Sequence, residues 1–129
     1  MDNKKINLSK KGNQRTFKFQ NEGEFIYQIT FDFDIIMDNM MGFFDNCENI
    51  YSVDLSNFDS SNVIDMGLMF NECYALEEIV GLNYLNTKKV TKMDSMFHGC
   101  ENLINLDLSS FNTSNVTDMS FMFAQCINL

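Results

Sequence analysis

The 129-residue chain has no proline and no tryptophan, and a single histidine, His98. With its many asparagines this points to AT-rich coding and excludes no function. Other shortages exclude more. Lys and Arg number 9 against 18 Asp and Glu, a formal net charge of −9. That balance argues against nucleic acid and against anionic membrane surfaces, which attract basic patches. No apolar run approaches the ~20 residues that a transmembrane helix needs, so membrane insertion is not expected. Lys4 and Lys5 are followed by no apolar stretch, so no secretory signal is read at the start. The chain is therefore expected in the cytoplasm if it is complete as given. It also lacks a Gly-rich phosphate loop, a nucleophile motif and a metalloprotease motif. We expect no enzyme, no cofactor and no metal.

Close cysteine pairs are missing too. Zinc sites use spacings such as Cys-x-x-Cys, whereas Cys47, Cys73, Cys100 and Cys126 lie a whole repeat apart. They read as a buried row of small apolar thiols. Disulfides between them are not expected if they sit on helices ~8–10 Å apart, beyond the ~7 Å limit for bridged Cα atoms. His98 has no counterpart in the other repeats and reads as a solvated surface residue.

What the chain does have is internal repetition. Each Cys is preceded at fixed distance by Phe43-Phe44, Met69-Phe70, Met96-Phe97 or Met122-Phe123. Met40, Met66, Met93 and Met119 lie four residues before each second Phe, and Ile50, Leu76, Leu103 and Leu129 lie three after each Cys. The units are 37–62, 63–89, 90–115 and a partial 116–129, with Gly81 as an inserted residue in the second. Such a glycine tolerates the kink that an extra residue demands.

Each unit has two halves. Met119, Met122, Phe123 and Cys126 fall at i, i+3, i+4 and i+7, which predicts one face of a short helix. Thr117 and Asp118 suit its start, as hydroxyl cap and dipole partner. In the second half Leu103, Leu106, Leu108 and Phe111 alternate with polar residues, which predicts a strand. Ile50, Val53, Leu55 and Phe58 repeat this, as do Leu76, Ile79, Leu82 and Leu85. Strands stack ~4.8 Å apart and helices ~8–10 Å apart, so the array should bend with its strands on the concave side. The expected fold class is α/β, a leucine-rich-repeat-like solenoid of short helix plus parallel strand units with an N-terminal β-hairpin cap.

Residues 1–14 read as a mobile polar N-terminus, and 15–36 as the cap and first strand. Arg15–Gln20 and Glu24–Asp34 alternate at period two around the turn Asn21-Glu22-Gly23. Spacing to Met40 puts Tyr27 and Ile29 in the places of Leu106 and Leu108. The remainder, 37–129, is the repeat region. It stops after the fourth predicted helix, which leaves apolar surface uncovered at that end.

The run from Leu106 to Phe123, with Leu106-Asp107-Leu108-Ser109 and Met122-Phe123, resembles the BspA-like leucine-rich-repeat surface proteins, a 26-residue bacterial repeat family. The likeness covers 37–129; unit one departs with Phe43-Phe44, and unit two lacks the Leu-Asp-Leu-Ser stretch. The resemblance implies a surface-exposed or secreted adhesive protein, of a kind that normally carries an export signal or anchor.

The expected function is a non-catalytic binding or adhesion module within a longer surface protein, presenting a concave strand face to a protein or carbohydrate. Its outward positions are Ser52, Asp54 and Ser56; Glu78, Val80 and Asn83; and Asn105, Asp107 and Ser109. Acidic residues on neighbouring strands repel, which favours a positively charged partner. Val80 interrupts the row and weakens any case for calcium at Asp54 and Asp107. The alternative is a structural assembly unit that self-associates end to end through its open C-terminal repeat.

Overall fold

The computed structural model describes the backbone of residues 28–30, together with residues 38–56 and 58–129. The expected mobile N-terminus, the hairpin turn and the edge strand Arg15–Gln20 lie outside the described residues. Three short strands, β1 (Gln28–Thr30), β2 (Ser52–Asp54) and β3 (Glu78–Val80), form one parallel sheet in the order β1-β2-β3. A 3₁₀ turn, Leu82–Tyr84, follows β3.

The expected α/β architecture of helix-plus-strand units is not what forms. Among the described residues there is no α-helix. Where each helix was expected the chain makes successive tight turns, closed by bonds such as Met69 N–H to the Met66 carbonyl and Cys73 N–H to the Phe70 carbonyl. The cause is local. Two positions per unit are left-handed: Gly42, Leu68, Ser95 and Phe121 at one, and Asn46, Glu72, Gly99 and Gln125 at the other. A left-handed residue every four positions ends a right-handed helix before it can propagate. It suits tight turns that need positive φ at their third residue. Thr117 and Asp118 accordingly cap nothing. The Thr117 hydroxyl donates to the Thr91 carbonyl, and the Asp118 carboxylate accepts the Ser120 N–H.

These turns send alternate N–H groups out of their own unit. The N–H groups of Met66, Leu68, Phe70 and Glu72 donate to the carbonyls of Lys92, Asp94, Met96 and His98. Met40, Gly42, Phe44 and Asn46 do the same to Asp65, Gly67, Met69 and Asn71, and Met93, Ser95, Phe97 and Gly99 to Asp118, Ser120, Met122 and Ala124. A helix would satisfy these donors internally; here they tie neighbours together, at four bonds per junction. Bridges Asn39–Asp65–Lys92–Asp118 mark the same rows.

The Phe side chains follow. Phe44, Phe70, Phe97 and Phe123 stack nearly parallel, with centroids 5.1, 5.7 and 5.9 Å apart. That is close to the ~4.8 Å of paired strands and well short of helix packing. The turn side is therefore spaced much like the strand side, and the expected cause of a concave strand face is gone. Met66, Met69, Phe70, Cys73 and Leu76 of one layer are fully buried, as are Met93, Met96, Phe97, Cys100 and Leu103 of the next. Each buried Phe is worth roughly 1.5–3 kcal/mol of transfer free energy.

Two strand expectations are also corrected. Ile29 pairs with Val53, two residues away from the register expected by analogy with Leu106, in which Tyr27 would lie there. A two-residue slip keeps the same face, so alternation alone does not fix it. Residues 104–108 form no strand, and among the described residues no backbone bond joins them to β3. Just before them in the stack, Gly81 is left-handed (φ 78°) and leads into the 3₁₀ turn. Cross-layer contact resumes at Thr87, whose hydroxyl accepts the Asn112 N–H and donates to the Asn112 carbonyl.

Candidate functional site

The sheet gathers part of the expected surface. Ser52 lies in register with Glu78, and Asp54 with Val80, so the four share one face. Val53 between them is fully buried. Ser52 and Asp54 are half-buried, and Glu78 and Val80 exposed. The Asp54 carboxylate accepts the Ser56 N–H at 2.8 Å, which folds the chain out of β2. Asn83 stands exposed on the 3₁₀ turn, beyond the sheet.

Asn105, Asp107 and Ser109 are exposed but lie on an irregular segment, not on a neighbouring strand. The expected three-strand row is thus a two-strand patch with a detached third part. Asp107 accepts the Ser109 N–H at 3.0 Å, and bonds from Ser109 hold its carboxyl below the usual range. Among the described residues no group of three His, Cys, Asp or Glu side chains is placed to hold a metal ion. No helix of the described residues is long and apolar enough to cross a membrane.

The cysteines are free thiols. Cys73, Cys100 and Cys126 donate to the carbonyls of Phe44, Phe70 and Phe97 at 3.1, 3.2 and 2.9 Å. Burial pushes the Cys47 thiol up to about 11 and Cys100 to about 12; Cys73 rises furthest. A thiol held protonated is neither a nucleophile nor a metal ligand. The four form a structural row, each later member tied to the layer before it.

His98, expected to be solvated, is half-buried and bonded. Its Nδ1 lies 2.9 Å from the Asn71 Oδ1, and the Asn71 amide donates to Asp45 at 2.8 Å. This polar chain crosses three layers at equivalent positions and positions no reactive group. Two buried hydroxyls make similar clips: Ser60 accepts the Asn86 N–H at 2.6 Å, and Thr87 accepts the Asn112 N–H at 2.7 Å. Sequence reading missed both, because Ser and Thr in an Asn-rich loop look like ordinary turn residues.

The other prominent surface is the last layer. Met119, Phe121, Phe123, Ile127 and Leu129 are all exposed, Phe121 at 71% and Ile127 at 72%. One face of the Phe123 ring stacks on Phe97 while the side chain keeps 43% exposure. An open apolar end was legible from the repeat count; the outward Phe121 was not, since its place depends on the left-handed backbone.

Comparison with curated proteins and with solved structures finds no match. A family-level match spans residues 16–129, which takes in β1 and all of the repeat region 37–129. The chain therefore belongs to the family described as "Mycoplasma protein of unknown function, DUF285".

Proposed function

We propose that the chain is a non-catalytic binding module, carried by a surface protein, that engages a basic protein or glycan partner through its sheet face. The observation that carries this reading is the in-register patch of Ser52, Asp54, Glu78 and Val80 over a buried core. A rigid sheet holds these side chains at fixed spacing, which suits recognition without chemistry. The net charge of −9 favours a cationic partner by raising its local concentration. The surface role is supported by the resemblance of Leu106–Phe123 to BspA-like surface proteins.

A labelled decalysine peptide titrated into ¹⁵N-labelled chain tests the face. Chemical-shift changes should concentrate at 52–54 and 78–80, and Glu78→Lys should remove most of the binding. Shifts confined to other surfaces would refute the assignment. Surface biotinylation of intact source cells tests the location: a chain labelled only after lysis is not displayed.

A further inference from the structure

Two exposed tyrosines stand at the corners of the strand side. Tyr51, 44% exposed, directly precedes β2, and its carbonyl accepts the Glu77 N–H at 2.9 Å. Tyr84, 68% exposed, ends the 3₁₀ turn that follows β3. Leu82 and Leu85 bracket Asn83 and Tyr84 and are buried, so the pair between them is turned to water. The equivalent turns run from Leu55 to Phe58 and from Leu108 to Phe111, each closed by a bond from the later N–H to the earlier carbonyl. They carry Asn57 and Ser110 where Tyr84 stands, so the aromatic is peculiar to the layer that also carries Glu77 and Glu78. Both tyrosines lie on layers with a neighbour on each side. Rings this open add little to the core, and Tyr is a residue type in which binding energy concentrates once a partner covers it.

Asp54, Glu77 and Glu78 lie between the two tyrosines along the chain and across the sheet. The cations among the described residues are Lys88, Lys89 and Lys92, all beyond Thr87, and the one ion pair among them is Lys92 with Asp65. The strip therefore has no counter-charge among the described residues. We propose that Tyr51 and Tyr84 make this face selective for guanidinium groups, so that its occupant is an extended arginine-bearing peptide. The inference deepens the sheet-face reading and rests on it. A guanidinium is planar and weakly hydrated, and it stacks on an aromatic ring while forking onto a carboxylate. A lysine ammonium meets the same carboxylates as a compact, strongly hydrated charge and gains less from the rings. A neutral sugar would cover a ring and leave the carboxylates without a complement. From Glu77, beside Tyr51, to Tyr84 the chain spans at most ~25 Å, the reach of an extended peptide of about seven residues. This chain's own single arginine is Arg15, so its basic N-terminal residues offer lysines in the main.

The probes are two labelled peptides alike in length and charge, one of alternating arginine and glycine, the other of alternating lysine and glycine. Each is titrated with the full chain and followed by fluorescence anisotropy. The arginine peptide should bind more tightly, by about two- to fivefold for each ring that it stacks on. Tyr84→Ser and Tyr51→Ser should each weaken it by that factor and leave the lysine peptide within about twofold. Tyr84→Phe should keep the preference, because the ring remains. Unfolding midpoints of these variants should match that of the parent, since both side chains are exposed. Equal affinity for the two peptides, or a preference that survives in the double variant Tyr51→Ser, Tyr84→Ser, overturns the inference and leaves the sheet-face reading standing. Failure of both peptides to bind, or binding untouched by Glu78→Lys, overturns the sheet-face reading and the inference with it. A gain in affinity for the arginine peptide on Arg15→Ser assigns the rings to the chain's own arginine and overturns the proposed occupant.

Discussion

Replacing Gly81 by alanine should be far more damaging than the same change at Gly42, although both glycines are left-handed, at φ 78° and 63°. The backbone penalty for alanine in this region is about 1–2 kcal/mol and is common to both. The surroundings differ. A Cβ on Gly42 would meet only the Asp45 Cβ, at 3.5 Å, an ordinary contact. A Cβ on Gly81 would lie 2.5 Å from the Ser56 nitrogen, 2.6 Å from its Cα and 2.9 Å from the Leu55 carbonyl carbon. Those are backbone atoms, so no side chain can swing aside. Relief requires β3 to part from the end of β2, where the Leu55 N–H donates to the Val80 carbonyl at 2.8 Å. Losing that bond costs about 1 kcal/mol, and the residual overlap about 1–3 kcal/mol more. We expect about 1–2 kcal/mol for Gly42→Ala and about 3–6 kcal/mol for Gly81→Ala. Urea unfolding followed by circular dichroism measures both. Equal losses would show that the close approach of Gly81 to Ser56 is not real, and the account of the sheet's end would fall with it.

Truncating the Phe row should scale with its neighbours. Phe97→Ala, stacked on both faces, should cost about 3–5 kcal/mol, and half-open Phe123→Ala about 1 kcal/mol, by the same unfolding assay. Native alkylation with iodoacetamide at pH 8 should modify Cys126 first and leave Cys73 and Cys100 untouched, as mass spectrometry of timed digests will show. Because the folded thiols titrate above their ordinary value, their contribution to stability is complete below that value. It is lost as pH rises toward 11–12, so unfolding midpoints should fall there and recover in Cys→Ala variants. Asp59, Asp107 and Asp118 are held low by bonds from Ser61, Ser109 and Ser120. Their contribution is present above the ordinary carboxylate range and fades as pH falls through the lowered values, which an NMR titration of the carboxyl carbons will follow. Thr87→Ala should cost about 1–2 kcal/mol, because the Asn112 N–H loses its acceptor.

The repeat phase was legible because identical side chains recur in identical places. Phe44, Phe70, Phe97 and Phe123 stack as that phase requires. The helix was misread for a specific reason. Paired tight turns put positions i, i+3, i+4 and i+7 on the inner side just as a helix does, so Met66, Met69, Phe70 and Cys73 are buried under either description. The discriminating signal was Gly42, Asn46 and Gly99, residue types that accept positive φ, at the two left-handed positions. Leu68, Glu72, Ser95, Phe121 and Gln125 at the equivalent places conceal it, being residues that seldom adopt that conformation. The candidate surface was half legible. Alternation identified Ser52, Asp54, Glu78 and Val80 as outward. It could not show that Asn105, Asp107 and Ser109 lie off the sheet, because they alternate with apolar residues just as the strand residues do.

The four alternate N–H donors at each turn-side junction all point one way, from earlier residues to later ones. Layers with such one-way seams are interchangeable in order but not in direction. A gene for this protein can lose or duplicate a whole 26-residue period (Cys47 to Cys73, for example) and keep every seam matched. Half a period would bring turns against strands and fail at once. Length variation in the family should therefore come in whole steps, with the two outermost surfaces changing less than the number of layers between them.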